Sequence, residues 1–242
     1  MVDQHIVTQF DEELDEMRAT IAQMGGLVEQ QMTDAINAIG RRDDLLAKRC
    51  QEADVKIDAM EDKVEALTLR ILALRQPVAF DLRAILAALK IAHNLERMGD
   101  YAKNVAKRAS ALAQLPEVGA VNGIVRMGRL THGIIKDVLD AYSEPNVDKA
   151  VTAWTRDQEI DQMYNSLFRE LLTYMMEDPR NITACAHLLF VAKNIERIGD
   201  HATNIAETVY FQEKGTRLQG LRPKGDSTSY AVVEPPEADE AS

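Results

Sequence analysis

Cysteine is nearly absent from the 242 residues. Cys50 and Cys185 are the only two, too few for a disulfide framework and in keeping with a reducing compartment. Aromatic side chains make up only 5% of the chain, and no segment alternates β-branched and polar residues for long enough to read as a strand. Long apolar runs are missing too. The longest, such as residues 84–89 and 188–192, fall far short of the roughly 18 residues a membrane span requires, so no direct membrane insertion is expected. Positive charge is in deficit, with 28 basic against 39 acidic residues and a net charge of −11. Such a surface repels phosphate backbones and anionic lipid, which speaks against nucleic-acid binding and charge-driven membrane docking. Residues 1–6 carry no signal-peptide pattern. The expectation is a soluble, cytoplasmic protein.

What the chain does have is a hydrophobic content of 46%, enough for one large domain or two small ones. Ala, Leu, Met, Glu, Arg, Lys and Gln dominate, a mix that favours helix. Leu14, Met17, Ile21, Met24 and Val28 step by three and four. So do Ile57, Met60, Val64, Leu67, Ile71 and Leu74, then Leu82, Ile85, Leu89 and Ala92. Ile124, Met127, Ile134, Val138 and Ala141 follow, with Thr131 filling the one gap. Each set forms a stripe that a helix must bury. Gly40, Pro77 and Pro116 break the stripes. Ser143-Glu144-Pro145 and Asp178-Pro179 read as N-caps with first-turn prolines. Six helices are predicted, at 5–40, 43–76, 78–112, 117–142, 144–177 and 179–213. The segment 214–242 begins basic, ends acidic and carries Pro235-Pro236, which predicts a disordered tail.

The two halves repeat. Residues 89–106 (LKIAHNLERMGDYAKNVA) match residues 189–206 (LFVAKNIERIGDHATNIA) at ten of 18 positions. Upstream the offset becomes 103, laying Asp54, Ile57, Asp58 and Met60 over Asp157, Ile160, Asp161 and Met163, and Met24-Gly25 over Met127-Gly128. A period near 100 residues is too long for a solenoid. It points to an all-α fold of two tandem antiparallel three-helix bundles, 5–112 and 117–213.

The repeat keeps carboxylates in pairs. D-x-x-x-D occurs at Asp54/Asp58 and Asp157/Asp161, and E-x-x-x-D at Glu96/Asp100 and Glu196/Asp200. Spacing i,i+4 puts both acids of a pair on one helix face, where like charges oppose the helix. A bound cation reverses that sign, and antiparallel packing of the second and third helices of a half would join its two pairs. Oxygen-only donors suit Mg²⁺, Mn²⁺, Ca²⁺ or iron, with zinc also compatible. The plainer alternative is a solvated acidic face. No E-x-x-H occurs, and His93 faces Lys193 across the repeat, so the ferritin-like di-iron signature is absent. A carboxylate-bridged metalloenzyme, hydrolase or oxidase, is the rival reading, but no Ser-His-Asp set or phosphate-cradling glycine loop supports it. Asn94, Arg97, Asn194 and Arg197 also recur. They are candidates for binding a partner, although Arg97 pairing with an acid of its own helix is as good a reading. Trp154, one heptad before Asp161, is a candidate cover for the acidic cluster or simply buried.

At NLERMGDYAKNVA and NIERIGDHATNIAE, with D-x-x-x-D on the preceding helices, the sequence resembles the PhoU family over about residues 5–213. That resemblance implies two bundles related by pseudo-twofold symmetry, in a non-enzymatic protein holding multinuclear metal clusters through E/D-x-x-x-D motifs. The motifs map onto Asp54, Asp58, Glu96, Asp100, Asp157, Asp161, Glu196 and Asp200, with iron, zinc, manganese or magnesium as candidate ions. It further implies a negative regulator of the phosphate-starvation response. Such a protein couples the phosphate ABC transporter, through its ATPase subunit, to a sensor histidine kinase and restrains phosphate uptake. A homodimer is implied as well.

Overall fold

Each apolar stripe forms a helix. The computed structural model describes residues 2–218, 226 and 228, with side chains from Gln9 onward. The predicted tail 214–242 lies outside the described residues beyond Leu218, apart from Asp226 and Thr228. Six long helices occupy the described residues: α1 (Val2–Arg41), α2 (Asp44–Arg75), α3 (Ala79–Leu112), α4 (Val121–Ser143), α5 (Val147–Glu177) and α6 (Ile182–Lys214). Asp43 starts α2 by accepting from the Leu46 N–H at 2.9 Å. Gly215, at φ +70°, ends α6 in the left-handed conformation that glycine adopts without penalty.

The starts of the last three helices differ from the sequence expectation. Asp178 and Pro179 open a 3-10 turn, Pro179–Asn181, in which Asp178 accepts from the Arg180 N–H at 3.0 Å, and α6 follows from Ile182 rather than 179. Ser143 does not cap α5. It stays in the last turn of α4, where Glu144 N–H donates to the Asp140 carbonyl, and Asn146 supplies the cap to Lys149 N–H at 2.9 Å. Helix α4 begins at Val121 rather than 117. The preceding turn is pinned by Arg42, which donates to the carbonyls of Ala113 and Leu115 at 3.0 and 2.5 Å. Leu74 also departs from its predicted stripe and is 64% exposed. The step from Ile71 is four rather than three, so Arg75 turns inward onto Glu13, at 3.0 and 3.3 Å.

Helices α1–α3 pack as one three-helix group and α4–α6 as another. The two groups meet along α3 against α6 and α1 against α4. Buried apolar side chains form one cluster running from Leu14 to Val209 through both halves. Burial of this scale, at about 25 cal/mol per Å² of apolar surface, is what holds the helices against their own repulsive surface charges.

The α1–α4 crossing depends on two glycines that the repeat places in register. A Cβ on Gly25 would stand 2.9 Å from Leu139 Cδ1, and one on Gly128 would stand 2.4 Å from Ile36 Cδ1. Leu139 and Ile36 are themselves 103 residues apart, so each glycine receives the other half's aliphatic side chain. Gly26, beside them, has nothing within 4 Å. Gly128→Ala is expected to destabilise the protein by about 1–3 kcal/mol through overpacking. Gly26→Ala should stabilise it by about 0.5–1 kcal/mol through helix propensity. Urea unfolding of the two variants checks the opposite signs.

Candidate metal centre

On α2 and α3, i,i+4 spacing and antiparallel packing bring Asp54, Asp58, Glu96 and Asp100 to one flank. Asp54 is buried; its Oδ1 accepts from Gln31 Nε2 at 3.3 Å and its Oδ2 from Lys103 Nζ at 2.5 Å. Lys103 also lies 3.8 Å from Asp100 Oδ1, and Arg97 donates to Asp100 Oδ2 at 3.2 Å. Lost hydration, then the charges of Asp54 and Asp100, push the exposed Asp58 carboxyl above its ordinary range, with Lys103 opposing. Glu96 is pushed up to about 7, first by burial and then by Asp100, Glu61 and Asp58, with Arg97 opposing.

The second flank is drier. Asp157, Asp161 and Glu196 are buried, while Asp200 is half-buried. Glu196 Oε1 accepts from Lys193 at 2.8 Å, and Glu196 Oε2 has no hydrogen-bond partner among the described residues. Burial first, then Asp200 and Asp161, push Glu196 up to about 7 against the pull of Lys193. Helix α5 approaches α6 closely at Gly199, where a Cβ would stand 3.0 Å from Asp157 Oδ1. Asp226 reaches this flank too, accepting from Lys193 at 2.9 Å and from the Thr228 hydroxyl at 2.7 Å.

All eight motif carboxylates therefore lie in two clusters, one per half. Their donor set fits a hard or borderline cation. It is oxygen-rich, it contains a buried carboxylate oxygen with no partner, and it includes two carboxyls whose ionisation the surroundings resist.

Two residues that the sequence reading passed over join the first cluster. Glu61, His93 and Glu96 offer one ligand atom each within 4.8 Å of one another, with His93 Nδ1 3.0 Å from Glu61 Oε1. The available signal was H-x-x-E at His93 and Glu96, set aside because the repeat puts Lys193 opposite His93.

Of the recurring Asn and Arg residues, Arg97 pairs with Asp100 of its own helix, one of the two readings the sequence allowed. Asn94 Oδ1 lies 2.8 Å from His201 Nδ1 and accepts from Asn204 at 3.2 Å. Arg97 and Arg197 lie 5.4 and 5.6 Å from the centroid of the Tyr101 ring. The contacts of Asn94 with His201 and Asn204, and of Arg197 with Tyr101, knit α3 to α6 across the seam. Asn194 donates to its own helix at the Phe190 carbonyl, 2.7 Å away. Trp154 is buried and donates to Glu207 Oε1 at 2.9 Å. Burial pushes the Cys50 thiol up to about 12 and raises Cys185 as well, which leaves neither as a ready nucleophile.

A raised folded-state carboxyl pKa adds stability below the unfolded value and loses it as pH rises through about 7. Metal-free protein should accordingly be more stable at pH 6.5 than at pH 8, by about 1 kcal/mol for Glu96 and Glu196 together, or roughly 2–4 °C in Tm. Thermal melts in chelator check this, and Glu196→Gln should flatten the dependence.

Residues 21–109 and 124–209 each match the PhoU domain. The chain is 51% identical over 227 residues to the phosphate-specific transport system accessory protein PhoU homolog of Caulobacter vibrioides, covering 93% of this chain and 99% of that protein. It is 49% identical to the protein of the same description from Rhizobium meliloti, covering 93% and 95%. The crystal structure of PhoU from Pseudomonas aeruginosa superposes with a TM-score of 0.82 at 41% identity, over 86% of this chain and all of that one. The crystal structure of the phosphate transport system regulatory protein PhoU from Streptococcus pneumoniae superposes at 0.79 and 29% identity, over 87% and 99%. By sequence and by fold the chain belongs to the PhoU family, whose members are accessory and regulatory proteins rather than enzymes.

Proposed function

We propose that this protein is a metal-binding adaptor of phosphate transport and a negative regulator of the phosphate-starvation response. It links the phosphate ABC transporter, through its ATPase subunit, to the sensor histidine kinase and restrains phosphate uptake. The observation that carries this reading is the near full-length likeness to phosphate-specific transport accessory proteins. The duplicated acidic flanks support it, because a repeated surface suits two-sided docking.

In this mechanism Asp54, Asp58, Glu96 and Asp100 hold cations on one flank, and Asp157, Asp161, Glu196 and Asp200 on the other. The bound ions supply positive charge that neutralises each flank. Lys103 and Lys193 keep part of each cluster neutral, and the packed α3–α6 seam holds the two flanks at a set relation. Docking on the kinase when phosphate is plentiful favours its phosphatase-competent state as a population shift. Iron, zinc, manganese and magnesium are the candidate ions. The protein works as a homodimer in the cytoplasm, recruited to the membrane face by its partners. Among the described residues no helix is long and apolar enough to cross a membrane.

The test joins metal content to partner capture. Glu96→Gln with Asp100→Asn is expected to lower bound metal by about half. The same substitutions should raise the stability of the chelator-treated protein, since removing like charges relieves a repulsion of a few tenths of a kcal/mol to about 3 kcal/mol. Metal-loaded wild type should retain the kinase cytoplasmic region in a pull-down, and the double variant should retain less. Wild type that captures neither kinase nor ATPase subunit would overturn the reading.

A further inference from the structure

The two halves differ at the positions that flank their shared glutamates. Glu61 in the first half corresponds to Tyr164 in the second, and His93 corresponds to Lys193. In the first half an imidazole and two carboxylates converge, their ligand atoms within 4.8 Å of one another. In the second half the Lys193 ammonium contacts the matching glutamate, Glu196, at 2.8 Å. It also lies 4.9 Å from the Tyr164 ring centroid and 2.9 Å from Asp226. A fixed cation thus stands at the second glutamate. At the first glutamate the chain supplies ligand atoms instead.

We infer that the halves are unequal as cation sites: Glu61, His93 and Glu96 bind one borderline divalent ion, and Lys193 takes that ion's place in the second half. This goes beyond the carboxylate reading above and shares only Glu96 with it. One nitrogen with two carboxylate oxygens selects zinc-like first-row ions over Mg²⁺ or Ca²⁺, which take oxygen donors. His93 is well exposed and borders a groove of about 920 Å³ between α3 and α6, lined also by Glu65, His201 and Glu207. A hydrated ion can enter there and keep a water as its fourth ligand. In the second half, ring, ammonium and Asp226 close the corresponding position, and a second positive charge there is repelled.

The experiment titrates chelator-stripped full-length protein with Zn²⁺ by calorimetry and with Co²⁺ by visible absorption, with Mg²⁺ as the hard-ion control. His93→Ala and Glu61→Gln should each weaken one zinc equivalent by about ten- to a hundredfold, the loss seen on removing even a supporting partner of a metal ligand. They should also abolish the nitrogen-ligated cobalt spectrum while Mg²⁺ binding stays unchanged. Tyr164→Glu with Lys193→His should add one zinc equivalent. His93 is on the surface, so metal-free melts of His93→Ala should match wild type. Zinc binding by both single variants at wild-type strength overturns the inference. Asp58→Asn with Asp100→Asn, outside the triad, separates the two readings. Loss of metal in that variant together with wild-type zinc binding by His93→Ala defeats this inference alone. The reverse pattern defeats the carboxylate reading alone.

Discussion

Carboxylates four residues apart on a helix repel one another, and this fold places them where water cannot fully screen the repulsion. In water such a pair costs a few tenths of a kcal/mol. At an effective dielectric near 20 the same separation costs about 3 kcal/mol. The cost falls on the side of the molecule that the core can best withstand. Asp54 and Asp157 sit one helical turn before Ile57 and Ile160, which are fully buried, so the apolar seam anchors the turn that carries each acid. Built-in compensation differs between the halves. Lys103 serves Asp54 and Asp100 in the first, where the second has Thr203 at the matching position; Lys193 serves Glu196 in the second, where the first has His93.

The relation between the two flanks is set by contacts that the repeat itself generates. Gly25 meets Leu139 while Gly128 meets Ile36, a reciprocal exchange of the kind a twofold interface makes. Across α3 and α6, the Tyr101 ring lies 5.6 Å from the Arg197 guanidinium and 5.6 Å from the His201 ring. Asn94 and Arg197, two of the residues with the look of a docking face, thus make contacts that join the halves.

Helix content, helix number and the meeting of the carboxylate pairs were legible in the sequence, because each follows from local periodicity and from one repeat. Errors of detail arose where one side chain outweighed its neighbours. Arg75 displaced Leu74 from the stripe because Glu13 offered it a two-oxygen partner. Asn146 displaced Ser143 as a cap because α4 runs one residue past its predicted end and keeps Ser143 in its last turn. The seam between α3 and α6 was not legible, since Asn94, Arg97 and Tyr101 show their partners only after two distant helices are packed. Glu61 was missed for the same reason: its nearest motif acid in sequence is Asp58, but the imidazole it meets is on the next helix.

Duplication explains why acids recur in register, yet it also frees each copy to change. Once two flanks share one core, a substitution on one does not have to be matched on the other. The exchanges at Glu61/Tyr164 and His93/Lys193 alter charge, aromaticity and ligating capacity while the glutamates they surround are kept. Burial first pushes both Glu96 and Glu196 up to about 7, and the charges around them then differ. Glu96 is only half-buried but faces three other carboxylates; Glu196 is almost fully buried and has an ammonium beside it. A carboxyl poised that way changes its charge readily when a cation, a proton or a partner's basic group arrives. Two such groups on opposite halves of a single core give one molecule two flanks with different charges around the same retained acid.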